Sequence, residues 1–368
     1  MTPPSERAGA TLTIDLGAIA RNYRSLRERV APARCAVVVK ADAYGLGVAQ
    51  VAPALAKAGA ETFFVATLDE AIELRGLVAD AGIAVLDGAL PGTEAEFIAR
   101  RLTPVLNDLG QIERWAALAR ERQRLDAIVH IDTGMNRLGL PPYEVDRLAA
   151  EPERLDGLDL RLVMSHLACA EERDNAKNAE QQAAFAAQRA RLPAAPASLA
   201  NSSAIFLGPE YHFDLARPGV ALYGVNPTPG HSNPMAEVVR LQARIIQVRD
   251  VDTPQTVGYG AAHRVTAPAR IATVPVGYAD GYLRSLSSHG FAAIGDVRIA
   301  VVGRVSMDLI TLDVSDLPGE RARPGATVDL IGGACPVDEV AGWAGTIAYE
   351  MLTSLGHRYA RRYVGDGA

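Results

Sequence analysis

Short runs of apolar and β-branched residues alternate with longer helical patterns through the first two-thirds of the chain. Segments rich in alanine, leucine and arginine follow the runs, and this order predicts strands that alternate with helices. The clearest helices are Gly47–Ala58, Leu68–Ala79 and Asp174–Arg191. The predicted strands are Cys35–Lys40, Phe63–Thr67, Ile83–Leu86, Thr103–Leu106, Ala127–Ile131, Arg161–His166, Ala197–Ala200 and Asp214–Arg217.

These strands are apolar throughout, which indicates a parallel sheet covered on both faces. Eight strand–helix units over about 230 residues fit a TIM (β/α)8 barrel in size. A doubly wound sheet is the alternative, because periodicity alone does not separate the two architectures.

The last third of the chain has short strand patterns with turn signals between them and no long helix before Val337–Ala344. This pattern predicts a mostly β domain after the barrel. The segment Asn226–Pro234, rich in proline, glycine and serine, marks the boundary. We therefore predict a flexible N-terminus at 1–10, a barrel at 11–234 and a β domain at 235–368. Its strands are predicted at Ala243–Val248, Ile271–Val276, Val297–Val302, Leu309–Val314 and Ala326–Ile331.

Charge and cysteine usage exclude several classes of protein. A formal net charge of -6 gives no electrostatic argument for nucleic acid. No apolar run is long enough to span a membrane, and the first ten residues show no signal peptide. Cys35, Cys169 and Cys335 are too scattered for a disulfide framework or a metal cluster, so we expect buried or half-buried thiols in a cytoplasmic protein.

Polar side chains end several of the predicted strands, where a parallel barrel places its active site. Lys40 directly follows three valines, so its amine either emerges to solvent or is held in a partly desolvated pocket that lowers its pKa. An amine of the second kind can form a Schiff base. The other polar residues at strand ends are His130 with Asp132, His166, Asn201 with Ser202, and Arg217.

The loops after the seventh and eighth strands suit phosphate binding. Asn201–Ser203 and Pro218–Val220 offer backbone N–H groups and hydroxyls where barrels often hold a phosphate. Without the barrel, the same residues would indicate only a turn or a helix cap. In the β domain, Tyr259 and Tyr278 each follow a glycine, which is typical of a turn or packing aromatic but also of a phenol exposed to a neighbouring cleft.

Together these strings resemble the alanine racemase family, a fold-type III group of pyridoxal phosphate enzymes. Val38–Gly45 is similar to the family's cofactor-lysine signature. The matches run in family order from residue 11 to about 363. The further matching strings are Asp132–Gly139, Ala200–Ser203, Arg217–Gly224, Val257–Gly260, Gly277–Tyr282, Gly303–Asp308 and Tyr349-Glu350.

The resemblance implies an enzyme that interconverts L-alanine and D-alanine with pyridoxal 5'-phosphate and supplies D-alanine for peptidoglycan. It implies a homodimer, with Lys40 as one base and Tyr259 of the partner subunit as the other. Arg137 would touch the cofactor's phenolic oxygen at the substrate site, which Tyr278, Arg284, Met307 and Asp308 would complete. The cofactor contacts would come from Lys40, Tyr44, His166, Asn201, Ser202, Arg217, Gly219, Val220 and Tyr349.

The implied chemistry is consistent with these residue types. Racemisation needs a base on each face of the substrate, and a tyrosine with a pKa of roughly 10 needs nearby positive charge to act as one. His166 hydrogen-bonded to Arg217 would supply that charge. Arg217 cannot release its proton, so the ring nitrogen beside it would stay unprotonated, which disfavours transamination.

One position departs from the family pattern. His130 stands where many members have a lysine that becomes carbamylated and orients the following arginine. Histidine cannot form that carbamate. Either Arg137 is held by another anion such as chloride, with help from Asn136, or it is held less firmly.

Four competing functions remain from the sequence. A racemase of serine or of broad specificity would share the same strings. A related decarboxylase would have an acidic residue where Arg217 stands. A pyridoxal phosphate carrier would lack the β domain that contains Tyr259. A Schiff-base aldolase would lack the phosphate-binding strings.

Overall fold

The computed structural model describes residues 7–122, 124–266 and 268–365. Most of the predicted flexible N-terminus, residues 1–6, therefore lies outside the described residues, as do 366–368. The chain then forms strand β1 (Ala10–Asp15) and helix α1 (Leu16–Val30) before the barrel begins. Asp15 caps the helix, because its side chain accepts a hydrogen bond of 2.8 Å from the Ala18 N–H.

The predicted barrel is confirmed, and its ring closes. Parallel strands pair in the order β3–β4–β5–β6–β7–β8–β9. The last strand, β10, pairs with β2, and β2 runs on directly into β3 at the start of that order. The Ala36 N–H donates to the Ala216 carbonyl and the Arg217 N–H donates to the Ala200 carbonyl, both at 2.9 Å. This closure excludes the doubly wound alternative. The strands are β2 (Arg34–Cys35), β3 (Val37–Val38), β4 (Thr62–Val65), β5 (Gly82–Val85), β6 (Thr103–Leu106), β7 (Leu125–His130), β8 (Leu158–Met164), β9 (Ala197–Ser198) and β10 (Leu215–Ala216).

Helices cover the outside of the ring and bury one face each. In α6, for example, Ile112, Trp115, Ala116 and Ala119 are buried at intervals of three or four residues. The predicted helices are confirmed as α3, α4 and α8. A short left-handed turn, labelled α2 (Lys40–Tyr44), follows β3 and is not one of the covering helices. The covering helices of the barrel half are α3 (Val48–Lys57), α4 (Leu68–Leu77), α5 (Glu94–Ala99), α6 (Leu109–Glu121), α7 (Pro142–Ala150) and α8 (Lys177–Arg189).

The last third is a mostly β domain, as predicted. Its larger sheet has the order β17–β16–β19–β11–β1–β20, a second sheet has the order β12–β15–β18, and β13 and β14 form a hairpin. Two short helices, α9 (Val337–Trp343) and α10 (Ala348–Ser354), contact each other, and Trp343 of α9 packs against Phe291 of the larger sheet. The strands are β11 (Val239–Arg244), β12 (Gln247–Val251), β13 (Gln255–Val257), β14 (His263–Val265), β15 (Ala269–Val274), β16 (Phe291–Ile294), β17 (Val297–Ala300), β18 (Ile310–Asp313), β19 (Thr327–Ile331) and β20 (Ala360–Val364).

Two details differ from the sequence-based expectation. The predicted strand Ala243–Val248 is wrong as one element, because the chain changes sheets inside it. The Ile245 N–H donates to Ala326 beside the larger sheet, whereas the Ile246 N–H donates to Thr273 in the second sheet. In addition, β1 lies between β11 and β20, so the first strand of the sequence segment assigned to the barrel is part of the β-domain sheet.

The cysteine prediction is confirmed: Cys35 and Cys335 are buried, Cys169 is half-buried, and all three are free thiols. Among the helices of the described residues, none combines the length and hydrophobicity that a membrane crossing requires.

Candidate active site

Lys40 lies at the carboxyl end of β3 and opens a left-handed turn. The non-glycine residues Ala41–Tyr44 have φ between 53° and 57°, a conformation that costs roughly 1–2 kcal/mol per residue. Burial, and next the charge of Arg137, lower the pKa of the Lys40 amine, while Glu70 and Asp87 oppose this effect. Lys40 is half-buried, which agrees with the partly desolvated pocket, one of its two alternatives, and such a pocket favours the neutral amine needed for nucleophilic attack.

The two predicted phosphate loops meet at one buried hydroxyl. Ser202 Oγ accepts hydrogen bonds from the N–H groups of Gly219 (3.0 Å) and Ala221 (3.2 Å). The intervening N–H of Val220 has no hydrogen-bond partner among the described residues. A Cβ on Gly219 would lie 2.2 Å from Tyr44 Oη, so the loop leaves room for nothing larger than hydrogen beside that phenol. The result is a small cradle of N–H and hydroxyl groups, of the kind that binds phosphate.

Asn201 precedes this cradle but has a structural part in it. Its Oδ1 accepts a hydrogen bond of 2.9 Å from the Ala204 N–H and so caps the short 3-10 helix Ala204–Phe206. Asn201 is therefore a helix cap, one of the alternatives predicted for this loop, while Ser202 joins the two loops.

Aromatic side chains pack around the cradle. The Tyr44 ring lies 4.8 Å from the Tyr223 ring and 6.0 Å from the Tyr349 ring, measured between centroids. Burial raises the pKa of both Tyr44 and Tyr349, so these phenols stay protonated and can donate hydrogen bonds. Tyr349 belongs to α10, so the β domain contributes directly to the cradle.

The β domain also holds the turn that follows Lys40. Arg361 Nη1 donates to the Gly45 carbonyl (2.8 Å), and the Tyr363 hydroxyl donates to the Leu46 carbonyl (3.0 Å). A Cβ on Gly45 would lie 2.5 Å from the Leu352 carbonyl oxygen, which explains a glycine with a φ of 81° at this close approach.

Arg217 is a buried cation held by neutral groups. Its guanidinium donates to Ser198 Oγ and, at 2.7 Å, to the Ser165 carbonyl, and no carboxylate pairs with it among the described residues. Burial lowers the pKa of Arg217 to about 10, so it remains charged at neutral pH. An uncompensated buried cation is costly, which suits a site that receives an anionic or electron-rich ligand.

One hydrogen bond expected for His166 from the sequence is not seen in the described residues. The predicted hydrogen bond from Arg217 to His166 is not among the side-chain hydrogen bonds of the described residues, which lead from Arg217 to Ser198 and Ser165. Burial and the nearby charge of Arg217 lower the pKa of His166 well below its usual value. Burial therefore keeps His166 neutral at pH 7, and the positive charge expected from this pair lies on Arg217.

His130 is likewise a neutral ring, and a buried amide fixes its tautomer. Asn107 Nδ2 donates to the carbonyls of Leu86 (2.9 Å) and Val105 (3.0 Å), so Asn107 Oδ1 faces His130 Nδ1 at 2.8 Å as an acceptor. Burial, and next the charge of Arg217, lower the pKa of His130 to about 4. The ring therefore carries its proton on Nδ1, and Nε2 is left as an acceptor.

Asp132 shapes the loop that carries Arg137. Its Oδ1 accepts from the N–H groups of Gly134 (2.9 Å) and Met135 (2.8 Å), and its Oδ2 accepts from that of Asn136 (2.9 Å). Asn136 is held at a φ of 55°, which asparagine tolerates better than most residues. Arg137 follows as an exposed side chain, and its positive charge helps to lower the pKa of Lys40, His130 and His166.

The remaining predicted site residues lie on the surface of the β domain. Tyr259 is 72% exposed, and Tyr278 and Met307 are also exposed. The loops of Tyr278 and Met307 touch through a 3.0 Å hydrogen bond from the Ala279 N–H to the Met307 carbonyl. Asp308 pairs with Arg358, and Arg284 is exposed. Within one chain, no contact between Tyr259 and Lys40 is seen in the described residues.

Two residues that contact this site were missed from the sequence. Glu70 accepts a hydrogen bond of 2.6 Å from the Ala41 N–H, directly after Lys40. Gln181 is fully buried, donates to Thr133 Oγ1 (3.2 Å) and the His166 carbonyl (3.1 Å), and accepts from the Ala168 N–H (2.9 Å). Both lie on helices, where a single glutamate or glutamine ordinarily faces solvent.

The chain matches two domain models along nearly its whole length. Residues 14–227 match the alanine racemase N-terminal domain, and residues 238–363 match the alanine racemase C-terminal domain.

The chain belongs to the alanine racemase family.

Relatives and solved structures agree with this membership. The chain is 55% identical to the alanine racemase of Rhodospirillum rubrum, over 98% of this chain and 97% of the relative. It is 51% identical to the catabolic alanine racemase of Mesorhizobium japonicum, over 99% of this chain and 96% of the relative. It superimposes on the crystal structure of Bartonella henselae alanine racemase with a TM-score of 0.94 and 41% identity, over 97% of this chain and all of that one. That crystal structure contains covalently bound pyridoxal phosphate.

Proposed function

We propose that this chain interconverts L-alanine and D-alanine with pyridoxal 5'-phosphate bound at the mouth of the barrel. The observation that carries the proposal is the placement of Lys40, a partly buried amine with a lowered pKa, in a chain that belongs to the alanine racemase family. The Bartonella henselae relative with covalently bound pyridoxal phosphate supports the choice of cofactor.

The residues present fit this cofactor. Val220 offers a free N–H beside Ser202 Oγ, and because Gly219 has no side chain the Tyr44 hydroxyl can lie close to these donors, as a phosphate site requires. Arg217 is a permanent donor held by neutral acceptors, so it can face a ring nitrogen that has a lone pair. In this assignment Lys40, Tyr44, Ser202, Gly219, Val220 and Tyr349 hold the aldehyde and phosphate ends, and His166 and Arg217 the ring.

The bound cofactor would supply a conjugated ring that stabilises negative charge on the α-carbon of the substrate. Lys40 Nζ removes or returns the α-proton on one face, and the Tyr259 phenol of the partner subunit does so on the other. Arg217 keeps its proton and leaves the ring nitrogen unprotonated, which limits charge delocalisation and favours return of the proton to the α-carbon. Since His166 and His130 are neutral, the positive charge near the site comes from Arg217 and Arg137.

We further propose a homodimer in which each site is completed by the partner subunit. The exposed phenol of Tyr259 and the exposed side chains of Tyr278 and Met307 form a surface that suits burial against a second copy. With Arg284 and Asp308, these residues would line the substrate entry, and Arg137 would touch substrate and cofactor. A monomer would then lack its second base.

The physiological role follows from the reaction. D-Alanine is a constituent of peptidoglycan, and we propose that this enzyme supplies it in the cytoplasm. The free thiols of Cys35, Cys169 and Cys335 are consistent with a reducing compartment. The finer alternative, a racemase of serine or of broad specificity, would use the same bases with a different pocket for the side chain.

The experiment starts from the purified full-length protein. A visible absorbance band that borohydride removes is expected for a cofactor bonded to Lys40, and L-alanine should yield D-alanine. Assays with each L-amino acid distinguish alanine from serine or broad specificity. A protein without the band would overturn the proposal, and a band without exchange of the α-proton in heavy water would favour a carrier.

Two variants test the bases. Lys40→Ala should abolish racemisation and the absorbance band together, because both depend on the same Nζ.

Tyr259→Phe should slow the conversion of L-alanine to D-alanine, since the phenol would face the α-proton of the L-isomer. Exchange of that proton in heavy water measures the effect directly. Wild-type rates in both directions would rule out the second base.

A further inference from the structure

The carboxylate of Glu70 joins the ends of two neighbouring barrel strands. Its Oε1 accepts a hydrogen bond of 2.6 Å from the Ala41 N–H, directly after Lys40. Its Oε2 accepts from the N–H groups of Ala66 (2.8 Å) and Thr67 (3.3 Å), which follow β4. One side chain on α4 thus satisfies backbone donors from two strand ends, with both of its oxygens used.

The first of these bonds acts where the backbone is strained. Ala41 begins the left-handed turn, which non-glycine residues adopt only when surrounding contacts enforce it. The Ala41 N–H belongs to the peptide that also contains the Lys40 carbonyl, so Glu70 Oε1 fixes the plane of that peptide. The orientation of this plane sets the direction in which the Lys40 side chain leaves the backbone.

Glu70 also takes part in the charge balance at Lys40. Burial and Arg137 lower the pKa of the Lys40 amine, whereas Glu70 and, less strongly, Asp87 raise it. Asp87 has its own pKa raised, by burial and by Glu70. His166 is neutral at pH 7 and adds no charge there. Of these two carboxylates, Glu70 is therefore the one whose removal lowers the pKa of the Lys40 amine more.

We propose that Glu70 is a positioning residue for Lys40, which holds the left-handed turn and the direction of the amine without touching substrate. This inference rests on the proposed function only in naming the aldehyde that Lys40 captures. Loss of the hydrogen bonds that Glu70 accepts would leave the turn free to relax toward the right-handed conformation. The Lys40 Nζ would then turn away from the mouth of the barrel.

The test compares Glu70→Ala and Glu70→Gln with Asp108→Ala as the matched control. Asp108 caps α6 in the same barrel, where its Oδ1 accepts from the Gln111 N–H at 2.8 Å, so its loss removes a helix cap without removing a hydrogen bond to the turn after Lys40. The full chain is freed of cofactor with hydroxylamine and then mixed with pyridoxal 5'-phosphate. The neutral Nζ attacks the aldehyde carbon and water leaves, which produces the visible band whose rate is followed against pH.

A cofactor-independent readout is available because the sequence has three lysines, Lys40, Lys57 and Lys177. Acetic anhydride labels neutral amines. The full chain is labelled at a series of pH values and then digested, and mass spectrometry of the peptides gives the pH at which labelling of Lys40 is half-maximal, with Lys57 and Lys177 as internal references. This measurement works even if the wild-type protein forms no band, so failure of the proposed function and failure of the present inference give different results.

Glu70→Ala should slow cofactor capture about tenfold or more, the effect of losing a charged hydrogen-bond acceptor. Glu70→Gln keeps one acceptor oxygen, so it should capture cofactor faster than Glu70→Ala while its Lys40 labelling midpoint moves to lower pH. Asp108→Ala should lower the melting temperature and leave both the rate and the midpoint unchanged. Capture by Glu70→Ala at the rate of Asp108→Ala, or an unmoved midpoint in Glu70→Gln, would overturn the proposal.

Discussion

Gly219→Ala tests whether the cradle is as tightly closed as its geometry indicates. The new Cβ would lie 2.2 Å from Tyr44 Oη and 2.9 Å from its Cζ. Gly219 has a negative φ of −123°, so it is not in the left-handed region that favours glycine, and the effect tested here is the steric contact with Tyr44. Tyr44 cannot simply withdraw, because Tyr223 packs against its ring at 4.8 Å. We expect a loss of about 1–3 kcal/mol in the free energy of unfolding, as for other overpacked cores.

A double-variant cycle assigns this loss to the contact with Tyr44. Urea unfolding of Gly219→Ala, Tyr44→Phe and the double variant should show that removing the hydroxyl recovers part, but not all, of the loss, since the ring carbon remains close. Binding of pyridoxal 5'-phosphate should weaken in Gly219→Ala alone more than in Tyr44→Phe alone.

Gly342→Ala is the matched control. Nothing lies within 4 Å of the Cβ that it would gain inside α9, so helix propensity should make it neutral or stabilising by roughly 0.5–1 kcal/mol. If Gly219→Ala unfolds at the same urea concentration as Gly342→Ala, or if the cycle shows no coupling, the closed cradle is refuted.

Two further predictions concern buried polar groups near the site. His130 has its pKa lowered from 6.5 to about 4, so its stabilisation is complete above pH 6.5 and is lost as the pH falls through 4. Between pH 7 and pH 4 the free energy of unfolding, measured with urea, should therefore fall by up to about 3 kcal/mol less in His130→Gln than in the wild type. An equal fall in both proteins would contradict the assignment. Gln181→Leu should lower the free energy of unfolding by about 2–4 kcal/mol, because it strands the Ala168 N–H and the His166 carbonyl. Gln188→Leu, on the same helix, removes a buried oxygen without a partner among the described residues and should cost nothing, so equal losses for the two would refute the argument.

The barrel could be predicted from the sequence because its strands are buried on both faces. Continuous apolar runs such as Val37–Val39 and Ile83–Val85 are a local signal, and their alternation with helices leaves few architectures. The strand β1 was missed for the opposite reason. Its residues Ala10, Leu12 and Ile14 are buried but alternate with half-buried neighbours, and its partners lie more than two hundred residues away, where local patterns carry no information.

The residues of the site likewise fall into those that local sequence patterns predicted and those that they did not. Lys40, Ser202 and Gly219 were found because each follows a predicted strand, and the barrel brings strand ends together. Glu70 and Gln181 were missed because their importance depends on which backbone groups they meet. The left-handed turn after Lys40 was also hidden, since alanine, aspartate and tyrosine rarely adopt positive φ and only Gly45 hinted at it.

The position of β1 has a consequence for synthesis of the chain. Thr11 pairs with Gln242 on one side and with Ala360 on the other, so β1 is synthesised long before either of its partner strands. At elongation rates of roughly 5–20 residues per second, that interval is on the order of tens of seconds. During it, β1 has exposed edges that invite pairing with other nascent chains. We expect the barrel to fold first and the sheet to close only once β20 has emerged from the ribosome, so expression yield should depend on chaperones that bind β1.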